Sequence, residues 1–328
     1  MLNGRKRETR GPPAALLALI LAAAGAAALA AGPPLRAVRW APADVDPVAT
    51  FARAPTECLK PPADPAAALS VEVGRAAFRT PVLLGGQAAR AGVTCETCHK
   101  SGRSNPTFLF PGVSGPPGTA DVTDSLFSTH RGDGVFNPKP IPDLSGPKTR
   151  LKVAQDPQSR KLEAFIHGLI TEEFDGPEPP KAVLDGLADY VRALKPAACP
   201  RAADAPVTVA GLMADTRRAI EAARGELARG DAPAAVLMVA SARTRLGLID
   251  ERYSDPALAG ERQALRAADR RLADLQARLR EKDPQAGPGL AGWLDSSRPL
   301  EADLAAKEPA SLFNPARLTQ ALKRRLPG

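Results

Sequence analysis

Five consecutive residues, Cys95-Glu96-Thr97-Cys98-His99, carry the clearest chemistry in the chain. Two thiols three residues apart, with an imidazole beside the second, suit covalent attachment of a single haem c. The thiols add to vinyl carbons at the porphyrin edge, and the adjacent histidine then reaches the iron from one side. Zinc would need a fourth donor and usually a second cysteine pair, whereas Cys58 and Cys199 stand far away in sequence. A redox dithiol would sit in a βαβ pattern, which the flanking residues lack. The spacing therefore predicts one covalent haem c on Cys95 and Cys98, with His99 as an axial iron ligand.

The opposite face of such a haem is less constrained. No methionine lies between His99 and Cys199. Met213 and Met238 sit near apolar positions of later helices, where core packing is the default role. His130, in Phe127-Ser128-Thr129-His130-Arg131-Gly132-Asp133-Gly134, is the first candidate for a second metal ligand or distal pocket residue. His167, on a helix and off the centre of its apolar stripe, is another candidate, and an open position filled by water is the remaining option. Each lowers the expected potential relative to a His/Met site. Arg103 and Arg131 are candidates to pair with the haem propionates, because carboxylates near apolar protein need a cation or donors. The alternative is that both are solvated loop arginines.

The elements that must hold these residues are helical. Leu69, Val73 and Phe78 place a short helix over 66–78, ahead of the motif. Residues 101–147 are rich in Pro and Gly and read as a long ordered loop, for which wrapping a haem face is a sufficient reason. Leu162, Phe165, Ile166, Leu169 and Ile170 recur at helical spacing, as do Val183, Leu187, Tyr190, Val191 and Leu194 before Pro196. Farther on, Val239, Ala242, Leu246, Ile249 and Tyr253 form one apolar stripe, and Leu265, Ala268, Leu272, Leu275 and Leu279 form another. A shorter helix with Met213 and Ile220 precedes them. The expected fold is all-α: a haem domain with long loops over 57–200, then a C-terminal helical hairpin or small bundle over 205–328. Residues 33–56, Pro- and Ala-rich and aperiodic, read as a linker.

Around the motif the sequence resembles a cytochrome c domain. Gly74 and Phe78 lie on the helix before the motif and Leu187 and Tyr190 on the last helix; in that fold the first and last helices cross through such a glycine and aromatic contact. Phe78-Arg79-Thr80-Pro81, Gly102-Arg103, Ile141-Pro142-Asp143-Leu144 and Phe174-Asp175-Gly176 resemble fragments of bacterial cytochromes related to the di-haem cytochrome c peroxidases. Those enzymes need two haem motifs, and this chain has one. The resemblance therefore implies a monohaem protein, with peroxidase turnover open to it only through a partner cytochrome.

Bulk properties narrow the setting. The formal charge is +8 over 328 residues, but the cations are spread among acids along the helices and in the leader (Arg5, Lys6, Arg7, Arg10). A nucleic-acid partner is not expected; a preference for acidic partners or anionic lipid is all the charge licenses. Residues 1–32 read as a signal peptide or N-terminal membrane anchor, with an apolar run at 14–31. Either form puts the remainder in the periplasm, soluble or held at the inner membrane. That oxidising compartment predicts a Cys58–Cys199 disulfide. Closing so long a loop stabilises by roughly 4–5 kcal/mol on chain entropy. Aromatics make up only 4% of residues, so the cores must come from Ala, Leu and Val or from the haem itself. The leading functional expectation is electron exchange with a redox partner protein, with the C-terminal helices serving for docking or dimerisation. The alternatives are a peroxidase-like enzyme or a gas- or peroxide-binding haem sensor, and a haem-bearing structural subunit of a membrane complex.

Overall fold

A computed structural model of the protein describes residues 34–123, 126–147, 151–199 and 203–323. The apolar run at 14–31, read as signal or anchor, lies outside them. The described residues are 61% helix and 4% strand, which makes the fold all-α as expected.

The first long helix, α1 (Pro65–Ala77), starts where Asp64 accepts a hydrogen bond from the Ala67 N–H at 2.8 Å and Pro65 fills the first helical position. A short helix α2 (Gly86–Ala91) ends at Gly92, whose φ of +76° suits a residue without Cβ. The motif cysteines bound a single turn, α3 (Cys95–Cys98). Helices α4 (Lys161–Gly168) and α5 (Lys181–Ala193) close this half. Helix α1 crosses α5 at two glycines. A Cβ on Gly74 would stand 1.8 Å from the Gly186 carbonyl oxygen, and one on Gly186 would stand 2.6 Å from the Ser70 oxygen. Beside the crossing, the Phe78 and Tyr190 rings lie 5.2 Å apart.

Among the described residues the strands are short: β1 (Arg53–Pro55), β2 (Thr119–Ala120), β3 (Lys139–Pro140) and β4 (Asp204–Pro206). They pair antiparallel, β1 with β4 and β2 with β3. The expected disulfide is present, joining Cys58 to Cys199 across 141 residues with Cα atoms 5.1 Å apart. Beside it, Lys60 N–H donates to the Ala193 oxygen and Lys195 N–H to the Cys58 oxygen, at 3.0 and 2.8 Å. The segment expected as a linker is packed instead. Leu35, Phe51 and Ala52 are buried against Leu312, Leu318 and Leu322, and Arg252 donates to the Phe51 oxygen at 2.7 Å. Isolated apolar residues without periodicity give no helix or strand signal, yet they suffice to cover a terminal helix.

The C-terminal part is larger than a hairpin. It contains α6 (Val209–Ala228), α7 (Ala232–Arg252), α8 (Ala259–Arg280), α9 (Ala286–Lys307) and α10 (Pro315–Lys323). Both apolar stripes fall on α7 and α8, and Met213 and Met238 are fully buried in the core. Helix α9 escaped the periodicity reading because it holds Gly287, Pro288, Gly289, Gly292 and Pro299. Pro288 falls in the first turn, where an N–H has no intrahelical acceptor. Gly289 makes room for Leu275, whose Cδ2 a Cβ there would meet at 2.3 Å. Leu290, Trp293, Leu294 and Leu304 supply the buried face, and Trp293 Nε1–H donates to the Ala268 oxygen at 3.1 Å. Helix α7 is the one described helix long and apolar enough to cross a membrane, but much of that surface is buried within the bundle.

A change of sequence texture near 200–205 suggests two domains, yet one hydrophobic cluster runs from Val71 in α1 to Phe313 before α10. The described residues form one compact unit. Leu69 of α1 seats against Gly225 of α6, where a Cβ would be 2.7 Å from its Cδ2. Small residues on these faces let the two halves share a core without any apolar run that signals it. Replacing Gly74 with Ala should therefore destabilise the fold by about 3 kcal/mol, at the top of the range for overpacking. Urea unfolding checks this, and a cost under about 0.5 kcal/mol would mean that the crossing yields freely.

Candidate cofactor site

Turn α3 is built locally. Thr94 N–H donates to Thr97 Oγ1 at 2.9 Å and the Thr94 side chain accepts from the Thr97 N–H, a reciprocal capping box. His99 N–H donates to the Cys95 oxygen at 2.8 Å. Two outside contacts place the turn: Glu96 N–H donates to the Phe78 oxygen at 3.2 Å, and Asn105 Nδ2–H to the Thr97 oxygen at 2.8 Å. Cys95 and Cys98 carry free, half-buried thiols. Burial pushes both up to about 12, so they rest as protonated thiols.

His99 follows directly, with its ring tilted against Phe78 at 6.3 Å. Its Nδ1 is 3.0 Å from the Pro142 carbonyl oxygen. An acceptor there fixes the proton on Nδ1 and leaves the Nε2 lone pair for a metal. Burial pushes the imidazole down to about 4, so it is neutral at physiological pH. The Pro142 segment is itself anchored. Leu144 N–H donates to the Gly102 oxygen at 3.1 Å, and Arg103 Nε pairs with Asp143 Oδ2 at 2.6 Å. Gly102, at φ +72°, lies against Leu194, whose Cδ1 a Cβ would meet at 2.5 Å. The few aromatics gather in this half: Trp40 stacks on Phe110 at 4.3 Å, Phe110 meets Phe127 at 4.8 Å, and Phe127 meets Phe174 at 5.5 Å.

The other candidate residues have protein partners. Arg103, read as a propionate partner, is engaged with Asp143. Arg131 pairs with Glu172 at 2.8 Å and Glu173 at 2.9 Å; Glu173, which reads from sequence as part of a hydrated helix end, is buried. His130 is mostly exposed, with Nδ1 held 3.0 Å from Asp175 Oδ1, which also leaves its Nε2 free. His167 pairs through Nε2 with Glu178 at 2.7 Å, so one of its two ring nitrogens is engaged. Among the described residues, no three His, Cys, Asp or Glu side chains converge as a bare metal site.

Behind the turn lies a buried ion network that sequence reading missed. Arg79, just past α1, pairs with Glu57 at 2.9 Å, Glu96 at 2.9 Å and Asp215 of α6 at 3.3 Å. Arg245 of α7 takes the other Glu96 oxygen at 2.5 Å. Arg75 pairs with Glu57, Arg218 with Asp215, and Tyr190 donates to Glu57 at 2.6 Å. Burial lowers the Arg79 guanidinium, but Glu57, Glu96 and Asp215 outweigh it and hold it well above its ordinary value. The one sequence signal was Arg245 itself, a charge on the apolar face shared by Met238, Ala242 and Ile249.

No family model, curated protein or solved structure matches the chain.

Burial raises the Asp215 carboxyl, but Arg79, Arg245, Arg218 and Arg75 together depress it below its ordinary 3.8. A depressed folded value stabilises above the unfolded value and is lost as pH falls through the folded one. Asp215→Asn should therefore cost about 3–5 kcal/mol at neutral pH, since it leaves buried arginine charge uncompensated. The gap to wild type should narrow as pH drops below 3.8. Denaturant titrations across that range test it, and a gap independent of pH would sink the assignment.

Proposed function

We propose that the protein is an exported monohaem c-type cytochrome that exchanges electrons with a partner redox protein. One observation carries this reading. His99 has its Nδ1 tied to the Pro142 oxygen at 3.0 Å, which leaves the Nε2 of a neutral ring available beside a turn whose two free thiols lie one helical turn apart. These residues fit a haem c: Cys95 and Cys98 hold its edge through thioethers, and His99 supplies an axial nitrogen. When bound, the haem supplies a one-electron ferric/ferrous couple. The chain's own part is to fix the tautomer, pack Phe78 against the His99 ring and hold the Pro142 loop through Arg103 and Asp143. The Cys58–Cys199 disulfide supports an oxidising compartment such as the periplasm. The crossing of α1 and α5 at Gly74 and Gly186 supports a cytochrome c-like arrangement of the haem half.

A second reading, binding of peroxide or a diatomic gas, is favoured by one specific observation. Met213 and Met238 are both sealed in the core, so neither is free to cap the iron. The candidates left for the sixth position are His130, whose Nε2 has no partner among the described residues, His167, and an open position that would take a small ligand.

Expression with c-type haem attachment machinery should give a protein carrying one haem, seen by intact mass and by the pyridine haemochrome spectrum. The Cys95→Ala/Cys98→Ala variant should carry none, and absence of haem in the wild type would refute the proposal. His130→Ala should convert a low-spin ferric spectrum to high-spin. If the wild type is already high-spin and takes up carbon monoxide rapidly once reduced, ligand binding replaces simple electron transfer as the function.

A further inference from the structure

Glu96 stands between the two haem-attachment cysteines, yet its carboxylate faces away from them into the protein. Both oxygens are taken by arginines: Oε1 by Arg79 at 2.9 Å and Oε2 by Arg245 at 2.5 Å. Arg245 comes from α7, 149 residues away in sequence. Its guanidinium is buried, and its one other hydrogen bond among the described residues is to the Arg79 carbonyl oxygen at 3.5 Å, again on the segment that carries the turn. A helix of the C-terminal bundle thus spends a buried cation on the haem turn. Burial raises the Glu96 carboxyl, but Arg245 and Arg79 outweigh it and keep it below its ordinary value.

The network is also charge-balanced. Arg75, Arg79, Arg218 and Arg245 meet Glu57, Glu72, Glu96 and Asp215. Loss of Arg245 leaves one buried negative charge beside the turn, and loss of the Glu96 charge leaves one positive. A ferric haem carries one more positive charge than a ferrous haem, so an unbalanced charge nearby shifts the couple in a fixed direction.

We propose that Arg245 is a positioning residue for the haem turn, and that through Glu96 the C-terminal helical bundle sets the reduction potential of the haem. This rests on the haem reading above. Displacement of α7, by a partner docking on the bundle for example, would then be felt at the iron as a change in the balance around Glu96. That gives the bundle a role which its sequence does not disclose.

The test compares midpoint potentials of the holoprotein and four variants by spectroelectrochemical titration, with thermal unfolding of each as a control. Arg245→Met should lower the potential, changing the ferric-to-ferrous ratio at fixed potential by about threefold or more. Glu96→Gln should raise it. The double variant should return close to wild type, and Arg245→Lys should stay there. Equal potentials throughout, or shifts of the same sign in both single variants, would overturn the proposal, because a merely structural loosening of the turn has no reason to reverse sign. If Arg245→Met does not fold, Glu96→Gln against the double variant still decides. Wild-type protein without haem would refute the cytochrome reading itself, whereas haem present with unmoved potentials refutes only this inference.

Discussion

Arg79 follows the last turn of α1 with almost no access to water, and a buried guanidinium is tolerable only if carboxylates surround it. Three do, and they come from three parts of the chain: Glu57 before α1, Glu96 inside the motif turn and Asp215 on α6. The requirement to neutralise one cation therefore brings the disulfide strap, the motif turn and the C-terminal bundle to one point. Tyr190 of α5 adds its hydroxyl to Glu57, so the helix that crosses α1 is held there too. Such a network adds little net stability over an apolar packing of the same shape. Its members are costly to remove singly, which makes it a specifier of arrangement more than a source of free energy.

The same point explains why the two halves of the chain share a core. Haem domains and helical bundles can each bury an apolar face alone. Here α1 uses one face for α5, through Gly74 and Gly186, and another for α6 and α7. The contact with the bundle is made by small residues and by Leu69 seated at Gly225, with the ion network at its edge. The motif turn consequently has two kinds of neighbour. On one side lie the Pro142 carbonyl and the Phe78 ring, both against His99. On the other lie fixed charges.

Much of this arrangement is legible in the sequence. The Cys95–His99 spacing singles out the chemistry, and an apolar period of 3.6 locates α1, α4 and α5 to within a residue or two and the C-terminal parts of α7 and α8. Cysteine count and export context give the disulfide. Helix α9 was not legible, because its glycines, Pro288 in the first turn and Pro299 in the interior broke its pattern. The packing of residues 34–56 was not legible either, because single buried residues such as Leu35 and Phe51 leave no periodic trace.

What the sequence determined by itself is the local chemistry of the motif: a turn of two thiols and one imidazole is fixed by covalent spacing, whatever surrounds it. The tertiary structure decided how that turn is held. That the Pro142 carbonyl selects the tautomer of His99, that Arg103 serves Asp143, and that Arg245 reaches Glu96 across 149 residues are long-range pairings of charges and donors. Pairings of that kind depend on burial, and burial becomes definite only when the helices have packed.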